Sequence, residues 1–583
     1  MLLTLVIFLP AIGALLLCLF PRSAAEGIKL FTFGFTIATF AVTAAMAIPA
    51  TGLFEMGLVQ MQQVFRYDWI PSFNINYHLG VDGISFALVI LTTFIFVLSM
   101  WASWSITEHV KAYCILFLLL ETGVLGVFLA LDFILFYVFW EVMLLPMYFL
   151  IGVWGGPRKL YAAIKFFLYT LLGGVLMIIA ILMLYFASDV RELTPVQLQA
   201  AHVISADLTG EALTEAVAAL QAAEHPVHTF NLLAMQQIGQ QTGQFDVLLF
   251  EGTFLEHTIQ FYAFILLFIG FIIKVPSVPL HTWLPDAHVE APTPISMILA
   301  GILLKLGGYG IIRICYPICP AAGYELMYWV CGIGVVSMIY GAFAAMAQRD
   351  FKRLVAYSSV SHMGYVVLGL GVWSAVQATG YNADYWALGM NGAMFQMIAH
   401  GISSAGMFFM VGVVYDRVHH RNLDEFGGLF ARMPTYSGLA FGIFFAGLGL
   451  PGLCGFIGEL LVTLSVWSFS KTLAVISAFT VILTAGYILW TLQRVYLGAE
   501  YKGPHGEALT PITPRELGIA APILAFAILL GVYPWAALQY MEPSVTNTAN
   551  VLAEWTKQNK PDVIEAVAAE SPAHALASRM IEE

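Results

Sequence analysis

Charge is what this sequence has least of. Only 10% of its 583 residues are charged, where a soluble domain carries about 25%, so an ordinary water-facing surface is excluded. A basic excess is missing too: 24 Lys and Arg stand against 36 Asp and Glu, a net charge of -12, which argues against a nucleic-acid partner. Cysteine is sparse and scattered. Cys18, Cys114, Cys315, Cys319, Cys331 and Cys454 make no four-cysteine run of the kind that holds an iron–sulfur cluster, and they read as small apolar packing residues. The first apolar stretch, Leu2 to Phe20, has no basic leader and no A-x-A site, and Pro10 interrupts it; it reads as a retained helix. A glycine fingerprint, GLGLPG at residues 447–452, lies inside an apolar run with no strand before it, so it does not signal a nucleotide.

What fills the chain is apolar sequence: 60% of it is hydrophobic and its mean hydropathy is +0.84. Runs near the length that crosses a bilayer recur from end to end, among them Leu30 to Ala47, Val110 to Leu131 and Ala162 to Phe186. The fold class is therefore an all-α polytopic membrane protein of about fourteen transmembrane helices, with residues 1–540 as the membrane domain. With the N-terminus outside, more than half of the 24 basic residues fall in cytoplasmic loops, including Arg22, Lys111, Arg158, Arg349, Arg417, Lys502 and Arg515. Both termini are then extracytoplasmic. So are an acid-rich insert, residues 188–256, and a tail, residues 541–583. Within the insert, TGEALTEAVAALQAAE has helical spacing.

An ionisable residue deep in a span costs roughly 2.5–3.5 kcal/mol. Glu121, Glu141, Lys165, Lys274, Lys305, His362, His400 and Glu459 all fall inside spans, and Asp132 lies at a short turn between two. Lys165 is close enough to a span end to snorkel. Glu141, Lys274, Lys305 and Glu459 are too deep for that. They either form buried ion pairs that only organise helices, a weak source of stability, or they line a path for protons or cations. His362 and His400 each suit hydrogen-bonded packing or a proton relay.

Two breaks sharpen the choice. Pro276 and Pro279 follow Lys274 at once, so the helix carrying it must unwind there. Freed backbone in a membrane is tolerated only against protein or water. A second break falls in GLGLPGLCGFIGELL, residues 447–461, with Pro451 inside it and Glu459 after it. Broken helices 7 and 12 lie five apart. That spacing suggests two inverted five-helix repeats, spans 4–8 over residues 112–315 and spans 9–13 over residues 325–496.

FWEVMLLPMYFLIGVWG, KVPSVPLHTWLPDAHVEAPTPISMILAGILLKLGGYGIIR, RLVAYSSVSHMGYV and LPGLCGFIGE together resemble the antiporter-like membrane subunits of respiratory complex I, the proton-translocating NADH–quinone oxidoreductase. Similar subunits occur in multisubunit cation/proton antiporters and membrane-bound hydrogenases. The resemblance implies that Glu141, Lys274, Lys305 and Glu459 are the family's four translocation charges, with His362 and His400 as relay positions. Glutamate rather than lysine at position 459 sets the chain apart from the lysine-bearing members of the family. The resemblance further implies that NADH, FMN, iron–sulfur clusters and quinone sit in partner subunits, with no cofactor or metal in this chain. Implied partners are the other complex I membrane subunits, neighbouring antiporter-like ones included, in a bacterial inner membrane. The long insert and tail depart from the family pattern.

On this reading Lys274 holds a proton while Glu141 is close and gives it up when Glu141 is drawn away. At an effective dielectric near ~20, a charge about 4 Å away contributes around 4 kcal/mol. The proton then passes through water and His362 to Lys305, and through His400 to Glu459. The competing readings are an antiporter subunit with no redox partner and a structural scaffold.

Overall fold

The computed structural model describes residues 1–373, 383–501 and 503–560; Lys502 and most of the tail lie outside the described residues. α1 (Leu2–Leu17) and α2 (Ala25–Met46) lead into an antiparallel hairpin, β1 (Gln62–Ile70) and β2 (Ile75–Val81). α3 (Gly83–Ala102), α4 (Val110–Leu129), α5 (Phe133–Val142), α6 (Leu144–Trp154) and α7 (Lys159–Ala187) follow. The insert carries α8 (Pro195–Ala200), α9 (Gly210–Gln221), α10 (Leu232–Gln241) and the short strands β3 (Leu248–Leu249) and β4 (His257–Thr258). Next come α11 (Ile259–Lys274), α12 (Trp283–Glu290), α13 (Thr293–Ile298), α14 (Leu304–Gly310), α15 (Tyr316–Ile318), α16 (Pro320–Glu325), α17 (Met327–Met346), α18 (Phe351–Gly371) and α19 (Asp384–Val418). The last third holds α20 (Leu429–Arg432), α21 (Pro434–Leu448), α22 (Cys454–Phe469), α23 (Lys471–Tyr496), α24 (Pro514–Val532) and α25 (Trp535–Asn559).

Among the described residues, 11 helices are long and apolar enough to cross a membrane, with Phe133–Trp154 and Thr293–Ile318 each counted as one passage. Four more apolar helices are shorter: Leu2–Leu17, Ile259–Lys274, Pro434–Leu448 and Cys454–Phe469. The outward faces are as apolar as the inward ones. On α7, Leu160, Ile164, Leu168 and Leu172 are exposed at helical spacing, while the buried stripe holds Ala163, Phe166, Thr170 and Gly174. Small and polar groups inside with apolar groups outside is the pattern that lipid, not water, selects.

The chain reverses at two faces. On the face where α1 begins, here the amino-terminal face, the insert is tied to the α4–α5 turn: Phe133 N donates to Phe230 O at 2.7 Å and Leu232 N to Leu131 O at 2.9 Å. Asp132 is used structurally, accepting from Asn76 N, Ile134 N and Leu135 N. The insert is thus packed rather than merely solvated. The expected helix in it is α9. The tail boundary at residue 540 falls inside α25, because that helix is fastened along its length to the bundle. Gly83 N donates to Ser544 Oγ at 3.1 Å, Asn391 Nδ2 to Thr546 Oγ1 at 3.1 Å and Trp373 Nε1 to Thr556 Oγ1 at 2.9 Å. All six cysteines are free, and five are buried as packing residues; Cys18 is exposed.

Candidate functional site

The first break is built as the prolines require. α11 starts on Thr258, whose hydroxyl accepts from Phe261 N, and ends at Lys274. Residues 276–282 are not α-helical, and α12 resumes at Trp283. The carbonyls freed at the break find protein partners: Ser277 N donates to Ile272 O at 3.0 Å and Trp283 Nε1 to Ile273 O at 2.9 Å. What stays unsatisfied is Lys274 Nζ itself, with Ser277 Oγ nearby in the chain. The lysine is 1% exposed. Its Nζ stands 5.5 Å from the Trp140 ring centroid and 5.2 Å from that of Phe166, so cation–π attraction and the negative end of the α11 dipole support an ammonium there.

Glu141 follows Trp140 near the end of α5, where the chain steps into α6. Its Oε1 is buried and without a hydrogen bond, and the residue as a whole is only partly buried. Gly174 of α7 makes room for it: a Cβ there would stand 2.0 Å from Glu141 Oε1. Glu141 and Lys274 act on each other electrostatically without a hydrogen bond between them.

Lys165 is held in an ion pair. Its Nζ lies 2.8 Å from Asp286 Oδ2 on α12, and Arg353 approaches the other oxygen at 3.8 Å. Asp286, which sequence reasoning missed as a partner, sits in the quoted motif WLPDAHVE and could have been found by pairing each span lysine with an acid.

Lys305 lies on α14 between two π turns, Leu299–Leu303 and Ile311–Cys315. Such turns release carbonyls from the helical ladder. Lys305 Nζ donates to Ala300 O at 2.6 Å and shares a 2.7 Å contact with His400 Nδ1 on α19. The ring centroids of His400 and His362 are 5.6 Å apart, and His362 Nε2 lies 3.4 Å from the Tyr487 hydroxyl on α23. His362 was expected ahead of Lys305. It abuts His400, because α18 packs along α19, and Lys305 also acts on it electrostatically. His400 Nε2 has no partner.

Glu459 sits on α22 just past the second break, 4% exposed. α21 ends at Leu448 and Gly449 follows in the left-handed conformation at φ +79°. A Cβ on Gly449 would lie 2.5 Å from Glu459 Oε2. A glycine therefore clears space for a carboxylate at each end of the row, Gly174 for Glu141 and Gly449 for Glu459.

Further groups lie on the face opposite the amino terminus, and sequence reasoning did not single them out. His288 on α12 is buried against Phe408, rings 4.2 Å apart, with neither ring nitrogen bonded. Lys352 is buried and donates to Ala291 O. Glu290 accepts from Arg158 N at 2.9 Å, and Arg421 Nη1 donates to Val289 O at 2.6 Å. Lys352, Glu290 and Arg421 border a cavity of about 300 Å³. On the amino-terminal face, His78 of β2 is buried. Burial, then the charges of Arg66 and His202, push it down to about 3, so it stays neutral.

Known proteins are similar to this chain in sequence and fold. Residues 130–238 and 227–484 match the family described as NADH:quinone oxidoreductase/Mrp antiporter, TM, and residues 27–131 match NADH-ubiquinone oxidoreductase chain 4, amino terminus. NADH-quinone oxidoreductase subunit M of Rhodobacter capsulatus is 37% identical over 94% of this chain and 96% of its own length. A chain of respiratory complex I from Thermus thermophilus superposes with a TM-score of 0.75 at 25% identity, over 95% of this chain and 100% of that one. The Mrp complex of Dietzia sp. shares the fold, with a TM-score of 0.70 at 19% identity, over 97% of this chain and 99% of that one. The breaks, the buried charges and these matches agree: the chain belongs to the antiporter-like membrane subunits of NADH–quinone oxidoreductase, in the subunit M or chain 4 branch.

Proposed function

We propose that this chain is a proton-translocating membrane subunit of NADH–quinone oxidoreductase. It crosses the membrane about fourteen times in two inverted five-helix repeats, with both termini on the extracytoplasmic side of a bacterial inner membrane. The observation that carries this reading is the row of buried ionisable groups. Glu141 and Lys274 stand at the first break, Lys305, His400, His362 and Tyr487 follow one another by contact, and Glu459 stands at the second break.

Lys274 gains a proton when Glu141 swings toward it and loses it when the acid withdraws. Glu141 is only partly buried, so a neighbouring membrane subunit can reach it and set its position. Lys305 passes a proton across its 2.7 Å contact to His400 Nδ1. The imidazolium releases one from Nε2, and Glu459 is the last group before exit. Redox chemistry belongs to the partner subunits, and this chain supplies the proton path. The reading predicts that sealed inverted vesicles holding the complex take up protons on NADH addition with no need for Na⁺. A strict Na⁺ requirement would assign the chain to cation/proton antiport instead.

A further inference from the structure

Glu121 plays no part in the row just described, yet it is 0% exposed and neither carboxylate oxygen has a hydrogen-bond partner. An orphan carboxyl in a membrane core is costly in either protonation state. A buried carboxyl with no protein partner calls for an explanation, and proton exchange is one.

Its place in the fold says where that proton goes. Tyr113, Phe117, Glu121, Val124 and Phe128 share one face of α4. Phe117 packs edge-on against Phe96 of α3, with ring centroids 5.2 Å apart. Phe128 packs edge-on against Tyr309 of α14 at 5.2 Å, and the Tyr309 hydroxyl donates to Phe128 O at 3.0 Å. Lys305 lies one turn before Tyr309 on α14. Both helices run from the opposite face toward the amino-terminal face. Pairing Phe128 with Tyr309 therefore sets Glu121 about 4–5 Å along the axis from Lys305, on the side of the opposite face.

Below Glu121 polar groups continue along the α3–α4 seam. On the α3 side, Ser99 Oγ is buried and unpartnered. Ser103 Oγ donates to Ser99 O at 2.7 Å and lies 2.8 Å from the Tyr113 hydroxyl. The Tyr113 ring packs edge-on against Trp154. Trp154 borders the 300 Å³ cavity that Ser105, Glu290 and Lys352 also line. Tyr113, Ser103 and Ser99 thus lead from the cavity to the Phe96–Phe117 pair, one helical turn before Glu121.

We propose that Glu121 is a proton-loading group that supplies Lys305 from the cytoplasmic cavity along the α3–α4 seam. In the transfer the Glu121 carboxyl loses its proton to water. That water's proton adds to the Lys305 amine to give an ammonium, and the carboxylate regains a proton from the cavity side. The proposal rests on the proton-translocating reading above. Its test uses the whole complex in sealed vesicles, with NADH oxidation and proton uptake recorded together for Glu121→Gln, Glu121→Met and Glu121→Asp. The expected result is a severalfold loss of pumping in the Gln and Met variants and retained pumping in Asp, which keeps a carboxyl. The Met variant guards against a folding defect, since an apolar side chain of similar size removes an unsatisfied buried group and should assemble at least as well. Full pumping in assembled Gln or Met complexes overturns the assignment. Lys305→Ala, run alongside, separates the failures. If it stops pumping while the Glu121 variants do not, only this assignment falls; if it too is silent, the translocation reading falls with it.

Discussion

Lys305→Ala should lower NADH-driven proton uptake by about a hundredfold, the low end of what a positioned acid–base group contributes, in a complex that still assembles. Lys305 is fully buried and joins the Ala300 carbonyl to His400. Removing it breaks the one direct contact between a lysine and a histidine in the row. It also leaves Ala300 O and His400 Nδ1 without that partner, at a cost of about 1–3 kcal/mol in stability, so the amount of assembled complex must be measured beside the rate. Lys305→Arg separates charge from proton exchange. A guanidinium keeps the positive charge and donors but does not give up its proton in proteins. Arginine should therefore preserve assembly and still block pumping. If Lys305→Arg pumped at the parent rate, Lys305 would be a structural cation and the scaffold reading would gain.

Glu141→Gln should give the second large loss. Glutamine matches the shape of glutamate and keeps packing at the α5–α6 step, but it carries no charge to support an ammonium on Lys274. With the acid brought to about 4 Å from the amine, a unit charge under an effective dielectric near ~20 would be worth around 4 kcal/mol. Pumping should collapse while the subunit remains in the complex. Gly174→Ala is the companion variant. Its methyl would enter the space that Glu141 Oε1 occupies, 2.0 Å from the oxygen, and the flexible carboxylate would have to move aside. Pumping should drop with Glu141 still present, with little change in assembly. Parent-level pumping in Glu141→Gln would remove the acid from the mechanism.

Much of this site was legible in the sequence because lipid makes ionisable residues conspicuous. Lys274, Lys305, Glu141 and Glu459 stood out against apolar runs, and Pro276, Pro279 and Pro451 located both helix breaks. The contacts were less legible. The pairing of Lys305 with His400 depends on how α14, α18 and α19 rotate against one another, which helical periodicity does not fix. The π turns flanking Lys305 leave no sequence signature of their own. Lys165 looked like a snorkelling residue because Asp286 lies more than a hundred positions away and meets it only after α12 folds back on α7. The glycines at 174 and 449 were readable as small residues but not as the space for two carboxylates. That α25 runs across residue 540 was hidden for a related reason: the helix is polar enough to resemble a solvated segment, and its anchoring through Ser544, Thr546 and Thr556 is tertiary.

The most direct measurement is proton uptake and NADH–quinone electron transfer recorded together, in sealed membrane vesicles, for Lys274→Ala against the parent. Lys274 Nζ is the one lysine nitrogen among the described residues that is buried with no hydrogen-bond partner, so alanine removes a titratable group and breaks no hydrogen bond. Collapse of pumping together with slowed electron transfer, in a complex that assembles normally, is the expected result. Unchanged pumping per electron in Lys274→Ala would contradict proton carriage through the first helix break.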